Sequence, residues 1–305
     1  MKFDSISIIT LTYRNWHMLE TAIKSVFEQD YHDVTQIQYL IVDDGTLDFD
    51  IEFVSRLVKK YDSLSGFEKS INVKIIKNSS NVGTVASFNN AIKKSTGDII
   101  IPLSADDCFY DQKTISCIVN SFKKSGAKII TGQRAVFCSE MIIQQKILPS
   151  KRYARLFDDG KEIDLLNYVV RNGNIISGAS TYYHREVFYE YGLFDTKYKL
   201  LEDYPFYCKL LADGCNISFL PYPTIKYRGG GVSSEGNQNP LLLRDFEMLN
   251  IHLLSEPNIS KYSKRKLYYR VMLTEREKHH PLNIFIYFDL IALDLLLKIL
   301  RHIRK

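Results

Sequence analysis

The stretch Gly97-Asp98-Ile99-Ile100-Ile101-Pro102-Leu103-Ser104-Ala105-Asp106-Asp107 decides how this chain is read. Ile99 to Leu103 is apolar without polar alternation, the pattern of a strand buried on both faces, and it runs directly into two aspartates. Upstream the same plan recurs. Tyr39 to Val42 is a short apolar strand ending in Asp43-Asp44-Gly45-Thr46, and Ser5 to Leu11 is another. Between these two, Trp16, Leu19, Ile23, Val26 and Phe27 recur at helical spacing, and Phe53, Leu57 and Val58 follow the second. Val73 to Ile76 predicts a third strand and Val85 to Ile92 a third helix. Strands alternating with helices predict an α/β fold, its central sheet mostly parallel and flanked by helices. In such sheets ligands bind beyond the carboxyl ends of the strands, so both aspartate pairs are expected at one functional edge.

Downstream, Ile115, Ile118, Val119 and Phe122 predict a helix and Lys128 to Thr131 a strand, after which periodicity is lost until about Asn174. Regularity returns at Ile175 to Ala179, at Tyr191-Gly192-Leu193-Phe194-Asp195, and at a helix opening near Glu202-Asp203 with Pro205 in its first turn. From Leu241 onward the chain reads as helical and basic. The expected organisation is one domain over 1–235, with halves 1–110 and 111–235, and a helical C-terminal extension over 236–305.

The chain has 40 Lys+Arg against 35 Asp+Glu, but 12 basic and 7 acidic side chains lie from Pro240 to Lys305, so the rest is neutral. That argues against a nucleic-acid partner, which needs a broad basic face, and favours an anionic membrane surface for the tail. On a helical wheel from Pro281, the residues Asn283, Asp294, Lys298, Arg301, His302 and Lys305 share one side, with Asp289 the exception. Such a helix suits the membrane interface rather than a crossing, the competing reading being packing on the protein itself or in a homodimer. The five cysteines are scattered and form no C-x-x-C pair, and no signal-peptide pattern opens the sequence. A cytoplasmic location at the inner membrane face is therefore expected.

Asp106 and Asp107 are the candidate ligands of a divalent cation, Mn²⁺ or Mg²⁺, against the plainer reading of a helix-capping turn. Asp43 is placed to accept hydrogen bonds from a nucleotide, although Asp-Asp-Gly is also a common turn. Asp203 is a candidate general base, with an N-cap as its alternative use.

In order and spacing these pieces resemble glycosyltransferase family 2, inverting enzymes with the GT-A fold, over roughly Ile6 to Ser234. The resemblance implies that Thr12, Tyr13, Asp43, Asp44, Asn81, Gly83 and Asn89 belong to the nucleotide-sugar seat, with Asp106 in the place of the metal-binding D-x-D. It implies Asp203, after Gly192-x-Phe194-Asp195 and Glu202, as the catalytic base, and Gly178 with Ala179 lining the sugar pocket. Three departures stand out: Ser104 replaces the first Asp of D-x-D, Phe88 stands where many members carry Arg, and no His follows Tyr227-Arg228. Arg228 is the residue that would pair with phosphate instead. The implied activity moves a hexosyl or N-acetylhexosaminyl group from a nucleoside-diphosphate donor, UDP by frequency in the family, to a lipid-linked saccharide in bacterial surface polysaccharide synthesis. The alternatives are a non-catalytic saccharide-binding or scaffolding relative, kept open by Ser104, and a sugar nucleotidyltransferase. The second would carry a Gly-rich basic loop after the first strand, and Leu11-Thr12-Tyr13-Arg14-Asn15 is not one.

Overall fold

A computed structural model describes residues 3–65, 70–229 and 239–303. The first half runs β1 (Ser5–Thr12), α1 (Leu19–Phe27), β2 (Gln36–Asp43), α2 (Ile51–Ser65), β3 (Ile71–Lys77), α3 (Thr84–Lys94) and β4 (Ile99–Pro102). The second half comprises β5 (Cys108–Phe109), α4 (Thr114–Ser125), β6 (Ile129–Phe137), β7 (Gln144–Leu148), α5 (Glu162–Asn172), β8 (Thr181–His184), α6 (Glu186–Tyr191), α7 (Asp203–Ala212) and β9 (Ile217–Arg228). The C-terminal part contains α8 (Pro240–Ser255), α9 (Lys261–Leu267), α10 (Glu275–Lys278), α11 (Pro281–Ile286) and α12 (Phe288–Ile303).

Among the described residues the strands form one sheet in the order β3-β2-β1-β4-β8-β6-β9-β5, with β7 branching from β6. The first four strands are parallel, with Thr12 opposite Asp43 and Ile9 opposite Pro102. Beyond β4 the sheet turns antiparallel through β8 and β6, and β9 lies parallel to β6. Parallel pairing is thus confined mainly to the first half, and the sheet as a whole is mixed. Strand order reverses at β1, whose neighbours are β2 on one side and β4 on the other. The crevice beyond these carboxyl ends is the topological switch point at which such sheets bind ligands.

Successive strand residues face opposite sides of the sheet and feed two cores. Ile8, Ile101 and Ile130 pack with residues of α1, α2 and α4, whereas Ile9, Ile100 and Ile129 pack with residues of α3, α5, α6 and α7. Leu242, Leu249 and Leu253 of α8 and Leu267 of α9 are buried in that second core, so the extension begins inside the body of the protein.

Two elements differ from the sequence reading. The stretch read as irregular contains α5, which buries Leu165, Leu166, Val169 and Val170 on one face. The helix read as continuous from Pro281 breaks at Tyr287. The Arg265 guanidinium grips both oxygens of Asp289, at 2.8 and 2.6 Å, and also bonds the Ile286 carbonyl. The Leu290 N–H, which a continuous helix would give to that carbonyl, goes to Tyr287 O at 3.0 Å instead. This pairing also explains why Asp289 stood off the polar side of the wheel. Lys305 lies outside the described residues. No helix among the described residues is long and apolar enough to cross a membrane.

Candidate active site

At the end of β1, Asn15 Oδ1 accepts from Thr12 Oγ1 at 2.8 Å and from the Tyr13 N–H at 3.1 Å. Arg14 has φ 63, a left-handed conformation that a side chain adopts at a cost, and its guanidinium lies 4.9 Å from the centroid of the half-exposed Tyr13 ring. Its N–H donates to Thr46 Oγ1 at 2.9 Å, joining the β1 turn to the β2 turn. Asp43 is fully buried, and its Oδ2 accepts the Thr46 N–H at 2.7 Å. Asp43 Oδ1 has no hydrogen-bond partner among the described residues. A buried acceptor without a donor, at the carboxyl end of a parallel strand, suits the N–H or O–H of a bound nucleoside.

Other members of the expected nucleotide set act on the chain itself. Asp44 accepts from Asn78 Nδ2 at 2.9 Å, the Val82 N–H at 3.1 Å and the Gly83 N–H at 2.9 Å, so both its oxygens are spent on the loop before α3. Asn81 Oδ1 caps the same Gly83 N–H at 3.1 Å. Gly83 has φ 89, and a Cβ there would lie 2.9 Å from the Lys199 carbonyl, so only glycine suits this crossing. Asn89 is buried and bonded to both the N–H and the carbonyl of Phe194, at 3.1 and 2.8 Å. Gly83 and Asn89 thus join the first half to the segment leading into α7, while Asp44 and Asn81 brace the loop before α3.

The acidic turn divides its two carboxylates. Asp107 points inward, is 2% exposed, and accepts the Arg228 N–H at 2.8 Å. Burial, and then the neighbouring charge of Asp106, push its carboxyl up to about 8, against the opposing pull of Arg228 and Arg134. Asp106 is half-buried and Ser104 exposed. Arg228 bonds the Asp106 carbonyl through Nε at 3.1 Å and also the Ser139 carbonyl, so it fastens the turn to the end of β9. No group of three or more His, Cys, Asp or Glu side chains converges as a metal cage among the described residues. Of the two expected ligands, Asp106 is the one not committed to a main-chain partner.

Across the crevice, Glu202 and Asp203 open α7. The N-cap position is Glu202, while Asp203 is the first helical residue and accepts the Tyr204 N–H at 2.6 Å. Burial raises the Asp203 carboxyl, opposed by that N–H, by Arg134 and by the Gly178 N–H. A carboxylate raised toward neutrality is matched to proton abstraction. Gly178 serves Asp203 directly, since a Cβ at 178 would stand 2.6 Å from Asp203 Oδ2.

Arg134 was not singled out by the sequence. It is half-buried on β6, donates to Ser177 Oγ at 2.6 Å, and holds its guanidinium 5.1 Å from the Tyr227 ring centroid. Its Nε is buried without a partner among the described residues, and its charge acts on both Asp107 and Asp203. The charge of one arginine is therefore felt both at the acidic turn and at the candidate base.

The sequence profile described as glycosyl transferase family 2 matches residues 7–192. A protein of Haemophilus influenzae described as an uncharacterized glycosyltransferase is 23% identical over 265 residues, covering 84% of this chain and 74% of that protein. Among solved structures, S. aureus TarS residues 1–349 in complex with UDP superposes with TM-score 0.61 at 16% identity, covering 94% of this chain and 75% of that one. The mannosyltransferase PcManGT from Pyrobaculum calidifontis, in complex with GDP-Man and Mn²⁺, gives TM-score 0.57 at 15% identity, covering 87% of this chain and 68% of that one. The structural likenesses establish the GT-A fold, and the profile spans more than half of the sequence: the chain belongs to glycosyl transferase family 2.

Proposed function

We propose that the chain inverts configuration as it moves a hexosyl or N-acetylhexosaminyl group from a nucleoside diphosphate, UDP in the first instance, to a saccharide hydroxyl. The observation that carries this reading is the half-buried, raised Asp203 carboxyl, which shares the field of the Arg134 guanidinium with Asp107 of the acidic turn. Thr12, Tyr13 and Asp43 seat the nucleoside, and the free Asp43 oxygen takes one of its donor groups. UDP in the TarS complex, and GDP-Man with Mn²⁺ in the mannosyltransferase, support a nucleotide-linked donor and a divalent cation.

Asp106 fits such a cation, because Mg²⁺ and Mn²⁺ are commonly held by one or two carboxylates with phosphate and water oxygens completing the shell. When bound, the ion supplies neutralisation of the charge that grows on the departing diphosphate. Asp203 takes the acceptor O–H proton while the hydroxyl oxygen bonds to the anomeric carbon. The bond from that carbon to the diphosphate oxygen breaks, its electron pair leaves with the diphosphate, and attack from the opposite face inverts the centre. Arg134, with one nitrogen unpaired, contributes positive charge where donor and acceptor meet.

The acceptor is read as a lipid-linked saccharide of bacterial surface polysaccharide synthesis, with the protein held peripherally at the inner membrane face. Support comes from α11 and α12, where Phe285 is 81% and Phe288 66% exposed, and from the basic excess of the tail. Replacing Asp203 by Asn is expected to lower transfer about 10²- to 10⁴-fold with UDP affinity unchanged. Turnover retained in that variant would remove Asp203 as the base.

A further inference from the structure

Asp245 lies on α8, outside the family-matched stretch, and is 1% exposed. Its Oδ2 accepts three consecutive backbone N–H groups, from Lys199 at 2.8 Å, Leu200 at 2.7 Å and Leu201 at 3.1 Å. These residues immediately precede Glu202 and Asp203. A buried carboxylate is tolerated when main-chain donors satisfy it, and charge-assisted bonds of this kind are stronger than neutral ones. The same segment is held from the donor side, since the Val85 N–H donates to the Lys199 carbonyl at 3.3 Å and Gly83 leaves room for that carbonyl. The entry to α7 is therefore clamped between the loop before α3 and the first helix of the C-terminal extension.

We infer that Asp245 is a positioning residue for the Glu202–Asp203 pair, so that α8 completes the transferase site by fixing where the base begins. The inference rests on the reading of Asp203 as base. A plain structural anchor would hold the main chain and leave the titration of the pair alone, whereas Asp245 is also a charge beside it. Burial raises the Glu202 carboxyl first, with Asp203 and then Asp245 adding to the rise. The other groups acting on the pair or lying within its field are Arg134 from β6, Tyr183 from β8, and Tyr204, Tyr207 and Cys208 on α7. Asp245 is thus a group of the C-terminal extension that acts on the pair. Removing its charge lowers the Glu202 titration.

The test uses the full chain with Asp245→Asn, which keeps the shape and loses the charge, and Asp245→Ala, which loses the anchor. Amide hydrogen exchange at Lys199–Leu201 is expected to accelerate about tenfold or more in the alanine variant, with the amides of β1 and β4 still protected. In the asparagine variant the Glu202 carboxyl, followed by carbon NMR and assigned through Glu202→Gln, is expected to titrate about half a pH unit or more below wild type. In turnover, kcat falls about tenfold with donor KM within about twofold. Exchange unchanged in both variants, or a Glu202 titration unmoved in Asp245→Asn, overturns the proposal. If Asp245→Ala does not fold, the asparagine variant alone decides it. Transfer retained in Asp203→Asn would sink the base assignment without moving the exchange or titration of Asp245→Asn, so the two failures are distinct.

Discussion

Because Asp107 is 2% exposed and its carboxyl is pushed up to about 8, the folded chain holds a proton there at pH values where an unfolded chain, at its ordinary 3.8, has lost it. Between those two values the native state binds more protons than the unfolded state, so this residue's contribution to stability falls as pH rises through the window and levels off above about 8. Asp107→Asn, measured in EDTA by thermal unfolding from pH 5 to 8.5, should flatten that decline, at most about 1.4 kcal/mol per pH unit. Parallel curves for wild type and variant would contradict the assignment. Asp43, Asp106 and Asp203 were legible in the sequence because each follows a recognisable strand or opens a recognisable helix. Arg134 was not, since one basic residue in a strand looks like any other until β6 is placed between β8 and β9. Asp245 was illegible for the same kind of reason: its partners lie 44 to 46 residues away, beyond anything periodicity carries.

The strands and helices of the first half followed from apolar runs and helical spacing, and the structure extends them by a few residues at most ends. α5 escaped notice although Leu165, Leu166, Val169 and Val170 carry its spacing, because the flanking residues are polar and the preceding β7 is largely exposed. What ties the elements together lay beyond pattern. Asn89 joins α3 to the segment before α7 through two buried bonds to Phe194. Asn89→Ala leaves that N–H and carbonyl without partners, and should cost about 2–4 kcal/mol in urea unfolding. A loss below about 0.5 kcal/mol, the scale of an ordinary surface substitution, would show that the bridge does not hold these elements together.

The whole molecule is a parallel first half and a mixed second half sharing one sheet, with a C-terminal part that divides in two. α8 and α9 pack into the core, while α11 and α12 expose Leu282, Phe285, Phe288 and Leu295. Deleting residues 281–305 should leave folding and nucleotide binding intact while abolishing co-sedimentation with phosphatidylglycerol vesicles; deleting 240–305 should unfold the protein. Vesicle binding that survives the shorter deletion would assign the exposed face to another use. The central claim is that the crevice at the switch point seats a nucleoside diphosphate with a cation on Asp106. Titration calorimetry of UDP, GDP, dTDP and CMP, with and without Mn²⁺, on wild type and Asp106→Ala tests it most directly. The expected result is one nucleotide, UDP first, bound about tenfold or more tightly with Mn²⁺, and that gain lost in the variant. Binding of none of them, or a Mn²⁺ gain that persists in Asp106→Ala, would contradict it.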